Sequence, residues 1–355
     1  IIGAHTDSPG FRIRHNGFFK KNAYSQAGIE IYGGPLLSSW SDKDLGIAGR
    51  ILIKKANDSP KSGQSRENSF ESLLWKSDKA LLRIPQLAIH LNREVNDKGL
   101  KFNKENELTP ILCSMQDVDL NEEELLNYIA QDLGIFRKDI HSYSLELFDM
   151  QKAALGGMHD DMIFAGRIDN LAMCIAGLNM LTELDEEPDS TLLLMLFDSE
   201  EIGSSTINGG ASPLLMRTME RLMFKAGLNT EEQAICLSNS RIFSADGAHA
   251  VHPNFTSKHP EKHPVYMNAG PVIKVNANQR YASNLQTIAE TEELAKMAGV
   301  PVQKYYHRND IPCGSTIGPI SATGTGIPTV DIGNAMLSMH SIRECTGTAD
   351  QWYME

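Results

Sequence analysis

The sequence lacks two features that bear on where a protein of this size works. No uninterrupted apolar run approaches the roughly 20 residues that a transmembrane helix needs. No cluster of basic residues offsets the acidic balance, which is 33 Lys and Arg against 45 Asp and Glu, a formal net charge of −12. We therefore expect neither nucleic acid nor a membrane as a partner, because an acidic surface does not favour polyanions.

Cysteine is scarce, and an initiator methionine is absent. The five cysteines form no closely spaced pair: Cys113, Cys174, Cys236, Cys313 and Cys345. An odd, scattered set argues against a disulfide framework and favours a reducing compartment, so we predict a cytoplasmic protein. Because the chain opens directly in strand-like residues at Ile1, we also expect a missing upstream segment, with which a targeting signal could be lost.

The overall composition is that of a globular protein. Apolar residues make up 41% of the 355 residues and charged residues 22%. This length exceeds that of a typical compact domain. We expect two domains, or one domain that carries a large insert.

An apolar run at 191–197 ends abruptly in three acids, Asp198, Glu200 and Glu201. Continuous apolar runs are typical of strands buried on both faces, and reactive groups in open α/β sheets gather at the carboxyl ends of strands. Adjacent carboxylates repel unless a cation or a shared proton compensates. The stretch therefore indicates a metal site, with a solvated acidic loop as the alternative.

A histidine and an acid follow the first apolar segment of the chain. His5 and Asp7 are two residues apart, so both point to the same face of an extended segment. A carboxylate beside an imidazole can fix the tautomer of a metal-binding histidine. The alternative is a loop histidine with an acidic neighbour.

Residues 11–138 have a different sequence pattern. Short segments in which apolar and polar residues alternate are separated by polar stretches. This pattern predicts a β-rich region with an exposed loop at 56–69. One helix is expected there, beginning at an Asn121 N-cap and closed by Gly134. His90 lies in an apolar segment, and on physical grounds alone it is typical of a semi-buried structural histidine.

Three more segments carry possible ligands. Asp169 lies at the start of a helix with an apolar stripe, where capping of that helix is the competing explanation. Asp246 follows an apolar segment, with His249 and His252 close by, and spacing alone does not choose among them. His340 falls near the end of another strand.

Together these signals bring imidazoles and carboxylates, without cysteine, to the strand ends of one α/β layer. A strand, helix, strand order around Asp169 and the run at 191–197 favours a parallel sheet. The ligand inventory suits two divalent ions, with zinc as the leading candidate and manganese or cobalt also compatible.

Six motifs of the chain resemble those of the aspartyl aminopeptidases, zinc exopeptidases that include a yeast vacuolar aminopeptidase. They run through most of the length, at 3–9, 82–91, 167–170, 198–203, 249–254 and 339–344. The resemblance implies an α/β fold with a zinc-exopeptidase-like, mixed but largely parallel sheet flanked by helices. The catalytic domain would comprise 1–10 and 141–355, and 11–140 would form an inserted β-rich dimerisation domain.

The resemblance also implies a ligand set. His5, Asp169 and Asp246 would hold one metal ion. Asp169, Glu201 and His340 would hold the other, so that Asp169 bridges the two.

Four further residues acquire roles by the same resemblance. Glu200 would be the general base for a hydroxide held between the two ions, and it would pass the proton to the leaving amine. Asp7 would orient His5, and His90 would reach the active site of a neighbouring subunit to help polarise the substrate carbonyl. Lys274 would recognise an acidic side chain of the substrate, although charge balancing is an alternative for this lysine.

These roles imply a di-metal aminopeptidase that removes N-terminal Asp or Glu from peptides with a free N-terminus. Members of the family form dimers and commonly tetrahedral dodecamers, so self-association is expected. One alternative is a related di-zinc hydrolase, or an aminopeptidase of neutral, Leu-type residues like the yeast vacuolar relative. Another is a non-catalytic oligomeric scaffold, against which Glu200 argues because a structural site needs no base.

Overall fold

The computed structural model describes residues 1–54, 70–184 and 187–355, so the loop expected at 56–69 lies outside the described residues. The strands are β1 (Ile2–His5), β2 (Gly10–Lys21), β3 (Tyr24–Tyr32), β4 (Leu45–Lys54), β5 (Phe70–Lys76), β6 (Ile111–Cys113), β7 (Ile140–Asp149), β8 (Ala154–Gly156), β9 (Met162–Ala165), β10 (Leu194–Phe197), β11 (Ile242–Ala245), β12 (Ala248–His249), β13 (Val272–Val275), β14 (Gln303–Tyr306), β15 (Thr329–Gly333), β16 (Ala335–Leu337) and β17 (Glu344–Gly347). The helices are α1 (Val95–Lys98), α2 (Glu122–Leu133), α3 (Ile168–Thr182), α4 (Leu214–Lys225), α5 (Thr230–Asn239), α6 (Leu285–Ala298), α7 (Ile317–Thr325) and α8 (Thr348–Met354). Among the described residues, no helix has both the length and the apolar character needed to cross a membrane.

The chain divides into two compact units. Unit 1 comprises Ile1–Ser8 and Ala153–Glu355, and unit 2 comprises Pro9–Lys152. The insert expected from the sequence ends at residue 140, whereas β7, which begins there, lies between β4 and β2 in the sheet of unit 2. Because β7 pairs with both of these strands, the boundary belongs after it.

Unit 1 contains a six-stranded sheet in the order β10-β1-β11-β15-β13-β14. Its paired strands run parallel except for β13 and β15, which confirms the expected mixed, largely parallel sheet. Helices α3, α6 and α7 pack on these strands. A second, five-stranded sheet of unit 1 has the order β12-β16-β17-β9-β8.

Burial differs between β15, an inner strand of the six-stranded sheet, and β10, which lies at one edge. All five residues of β15 are buried, as expected for a strand covered on both faces. In contrast β10 is one of the two outer strands, begins only at Leu194 and leaves Leu196 43% exposed. The expectation of a strand buried on both faces over 191–197 is therefore wrong, because only alternate side chains, those of Met195 and Phe197, are buried.

An apolar cluster anchors the strands whose ends carry the polar residues of unit 1. Its buried members come from β10, β11, α4, α7 and the segment after α7: Met195, Phe197, Leu215, Met219, Met223, Ile242, Ile317 and Ile327. Burial of one such side chain stabilises a fold by about 1.5–3 kcal/mol. The strand ends are thus held by a packed core.

Unit 2 contains a six-stranded antiparallel sheet in the order β5-β4-β7-β2-β3-β6, which confirms the expected β-rich region. Helix α2 begins as predicted. The Asn121 side chain accepts the backbone N–H of Glu124, and the Glu124 side chain accepts the backbone N–H of Asn121. It ends at Gly134, whose φ of 67° suits a residue without a Cβ.

Candidate metal centre

His5 is the last residue of β1 and lies at the carboxyl end of the parallel sheet, 1% exposed. Its Nε2 lies 3.4 Å from Oδ1 of Asp169 and 3.7 Å from Oδ1 of Asp246. Asp246 comes close because it directly follows β11, the strand next to β1. The other ring nitrogen, Nδ1, lies 3.1 Å from the backbone oxygen of Asp7 and 3.4 Å from its Oδ1. Nε2 therefore faces two carboxylates, while Nδ1 faces the backbone oxygen and the carboxylate of Asp7.

The Asp7 carboxylate also holds the turn that follows β10. Its two oxygens accept the backbone N–H groups of Glu200 at 3.0 Å and Glu201 at 3.1 Å. These acids open a 3-10 turn flanked by Ser199 and Gly203, whose φ angles are 65° and 92°. Asp7 thereby fixes the backbone from which both glutamates project, a role that the sequence pattern did not show.

Asp169 contacts both histidines of the cluster. Its Oδ1 lies 3.4 Å from Nε2 of His5, and its Oδ2 lies 3.4 Å from Nε2 of His340. Its own backbone is non-helical, and α3 begins after Arg167 without a side-chain cap. The explanation of Asp169 as an N-cap is therefore wrong, and its carbonyl is held instead by the Ser8 hydroxyl at 2.7 Å.

His340 completes the cluster from the loop between β16 and β17. Its Nε2 lies 3.2 Å from Oε2 of Glu201, and its φ is 66°. Glu344 accepts the backbone N–H of His340 at 2.7 Å and that of Asp169 at 3.0 Å. Glu344 is 3% exposed. Sequence reasoning gave this residue no role, and the only signal for one was its place in the motif that contains His340.

Lys274, on β13, is the second partner of Asp246. Its Nζ lies 3.2 Å from Oδ2 of Asp246 and donates to the carbonyl of Gly247 at 3.1 Å. The side chain is buried, with the ammonium 5.3 Å from the centre of the Tyr281 ring. A buried ammonium requires an opposite charge, which Asp246 supplies.

The site concentrates acidic groups that are buried or partly buried. Burial raises the pKa of Glu201 to about 9, and the neighbouring Asp169 charge adds to the effect. Burial is also the main cause that raises the pKa of Glu200 to about 7. Burial opposes ionisation of Asp169 as well, but the close rings of His340 and His5 outweigh it and lower the pKa of Asp169. A cation would relieve the repulsion among these carboxylates.

The residues present fit a divalent cation. His5, Asp169 and Glu201 each offer a ligand atom, and these three atoms lie within 4.8 Å of one another. Oδ1 of Asp169 and Oε1 of Glu201 are buried and accept no hydrogen bond of normal geometry from the described residues. Buried carboxylate oxygens that accept no hydrogen bond are costly unless an ion binds them. Imidazole and carboxylate donors together suit zinc.

The other candidate histidines have different surroundings. His249 packs edge-to-face on a tyrosine ring, and Nδ1 of His252 accepts a backbone N–H. Of the three candidates at 246–252, Asp246 is the one whose side chain contacts His5 in the described part of the chain. His90 belongs to unit 2, where it lies in an exposed turn.

A largely parallel α/β sheet that gathers histidines and carboxylates at its strand ends is the architecture of a metal-dependent hydrolase. The family described as aminopeptidase I zinc metalloprotease (M18) matches residues 1–354. The chain therefore belongs to the M18 family and is a zinc metallo-aminopeptidase, a peptide hydrolase.

Two relatives show how far the likeness extends. The chain is 40% identical over 389 residues to aspartyl aminopeptidase of Dictyostelium discoideum, a match that covers 99% of this chain and 78% of the relative. It is 42% identical over 385 residues to aspartyl aminopeptidase 4 of Saccharomyces cerevisiae, covering 99% and 76%.

Solved structures agree with this assignment. The cryo-EM structure of the Ape4 and Nbr1 complex matches with a TM-score of 0.91 and 36% identity, over 99% of this chain and 69% of that one. The mApe1 dodecamer of Saccharomyces cerevisiae matches with a TM-score of 0.79 and 31% identity, over 99% and 76%.

Proposed function

We propose that this protein removes N-terminal residues from peptides with two divalent ions and prefers Asp or Glu. The observation that supports two ions is the division of the Asp169 carboxylate, whose Oδ1 faces His5 and whose Oδ2 faces His340. His5, Asp169 and Asp246 would hold one ion. Asp169, Glu201 and His340 would hold the other. The relatives named aspartyl aminopeptidase support the acidic preference.

Glu200 is the general base in this proposal. When bound, the ions supply Lewis-acid polarisation of the scissile carbonyl and activation of water. Glu200 is next to Glu201 but outside the proposed ligand set, and its backbone is held by Asp7. Its carboxylate takes a proton from water and passes it to the leaving amine. Asp7 meanwhile orients the ring of His5 through Nδ1.

Glu200→Gln tests this assignment against Asp-, Glu- and Leu-aminoacyl chromogenic substrates. We expect kcat to fall about 10²–10⁴-fold while the bound zinc, measured by elemental analysis, stays at the wild-type level. Glu201→Gln is the matched control and should lose zinc together with activity. Full activity in Glu200→Gln would reject the general base. A zinc-loaded wild type that cleaves none of the three substrates would reject the aminopeptidase.

Lys274 carries the proposed preference for acidic residues. Among the described residues its Nζ contacts Oδ2 of Asp246 and the carbonyl of Gly247. In this proposal the third proton of the ammonium bonds a carboxylate of the substrate. The alternative is that Lys274 only balances the charge of Asp246.

The ratio of kcat/KM for Asp over Leu substrates separates these two roles. Lys274→Gln also disturbs Asp246, so activity on both substrates is expected to fall, but loss of a charged hydrogen bond should reduce the ratio about tenfold to a hundredfold. An unchanged ratio would leave Lys274 as a charge balancer. A wild type that prefers Leu would favour the neutral aminopeptidase, and cleavage of N-acetylated peptides would favour another di-zinc hydrolase.

We also propose that the protein forms dimers that assemble into a dodecamer, and that His90 completes the site of a neighbouring subunit. Next to it Leu87, Ile89 and Leu91 are 60%, 46% and 74% exposed, and neighbouring exposed apolar side chains are typical of interfaces. A related structure is a dodecamer.

Subunit mixing tests the shared site. Assemblies formed from His90→Ala and Glu200→Gln chains should regain activity, because some sites then combine an intact His90 with an intact Glu200. Each variant assembled alone is the control. Absence of recovery in assemblies shown to contain both chains would reject the role of His90.

A cytoplasmic location is part of the proposal. All five cysteines are free, as expected in a reducing compartment. Recovery of the protein in a secreted or vesicle-enclosed fraction after cell fractionation would contradict it.

A further inference from the structure

Glu344 joins two segments of the site that are far apart in the chain. It is the first residue of β17 and pairs with Ala165, the last residue of β9. The chain leaves β9 and runs directly to Asp169, while His340 lies in the loop just before β17. Pairing of these two strands therefore brings the Glu344 side chain to both segments.

Each oxygen of the Glu344 carboxylate accepts one backbone N–H. Oε2 accepts from Asp169 at 3.0 Å and Oε1 from His340 at 2.7 Å, both within the normal range of N–H···O hydrogen bonds. The two donors lie where the backbone is irregular, since Asp169 interrupts the first turn of α3 and His340 has a φ of 66°. Buried N–H groups outside regular structure need a dedicated acceptor, and Glu344 supplies both.

We propose that Glu344 is a positioning residue that sets the metal affinity of the centre by holding Asp169 and His340 at a fixed separation. The inference rests on the proposed function, because it takes these two residues as ligands. Oδ2 of Asp169 lies 3.4 Å from Nε2 of His340, and this spacing depends on where each backbone is held. Loss of either hydrogen bond frees one ligand to move relative to the other.

Glu344→Gln is the direct test. The amide keeps one acceptor oxygen, but its NH2 group cannot accept the second N–H, so one of the two bonds is lost. We expect zinc to bind about 10–100-fold more weakly in competition with a chromogenic chelator. Wild-type affinity in this variant would overturn the proposal.

Asp350→Asn is the matched control. Asp350 is also buried and accepts two backbone N–H groups, from Asn268 at 2.6 Å and Gly270 at 2.9 Å. Neither donor belongs to a proposed metal ligand. This variant should bind zinc as the wild type does. An equal loss of affinity in both variants would show a general effect of weakened folding and would overturn the proposal.

Thermal unfolding with and without zinc provides a second readout. Glu344→Gln should reduce the increase in melting temperature that zinc produces, whereas Asp350→Asn should lower both melting temperatures equally.

Glu344→Asp is the second variant if Glu344→Gln does not fold. It keeps the charge but is one methylene too short to reach both donors, and wild-type zinc affinity in this variant would overturn the proposal. Failure of the proposed function gives a different result from failure of this inference. In that case the wild type would bind zinc tightly but cleave none of the substrates.

Discussion

At the scale of single residues, Gly333 controls how closely β15 approaches a proposed ligand. A Cβ at this position would lie 2.0 Å from the backbone oxygen of Asp246. Gly333→Ala must therefore displace Asp246, and we expect a loss of about 1–3 kcal/mol in the free energy of unfolding together with weaker zinc binding. Denaturant unfolding and zinc titration measure the two effects.

Gly324→Ala is the control for this substitution. Gly324 lies in α7 with no heavy atom within 4 Å of an added Cβ, so the alanine should stabilise the helix by about 0.5–1 kcal/mol. Equal stability and equal zinc affinity of the two variants would show that β15 can move away without disturbing the site.

At the scale of elements, the N-terminus of α2 depends on one side chain. Asn121 accepts the N–H of Glu124, which would otherwise lack a partner in the helix. Asn121→Ala should cost about 1 kcal/mol in the free energy of unfolding. The same substitution at Asn127, exposed within the same helix, should be neutral or slightly stabilising because alanine has the higher helix propensity. If both variants lose equal stability, the cap is not the cause.

At the scale of the whole molecule, metal should couple to the stability of unit 1. Burial and the Asp169 charge both oppose ionisation of Glu201 when no cation is bound. An ion that binds only the folded state adds about 4 kcal/mol to its stability at a thousandfold excess over its Kd. We expect a chelator to lower the melting temperature by several degrees and zinc to restore it. Calorimetry measures this shift.

Asp169→Asn serves as the control for chelation. This variant lacks the carboxylate that would bridge both ions, so the chelator should leave its melting temperature unchanged. Hydrogen exchange should show the metal-dependent protection near β1 and β11 of unit 1 and not in α2 of unit 2. A wild type whose melting temperature does not respond to the chelator would contradict the prediction.

Local patterns in the sequence determined several features correctly. The Asn121 N-cap and the end of the helix at Gly134 both follow from residues within a few positions of one another. The motifs that resemble the aspartyl aminopeptidases correctly indicated the family and the α/β fold. Such features can be predicted because capping hydrogen bonds and the periodicity of apolar residues depend on residues that are neighbours in the sequence.

Tertiary structure alone decided which residues meet. Spacing could not choose Asp246 over His249 and His252, and it gave Glu344 no role, because these outcomes depend on pairing between strands distant in the chain. The outer position of β10 likewise depends on which strands become neighbours. Composition and periodicity report the environment of a segment, whereas the partners of a side chain are set by contacts such as that of Glu344 with Asp169, 175 residues apart.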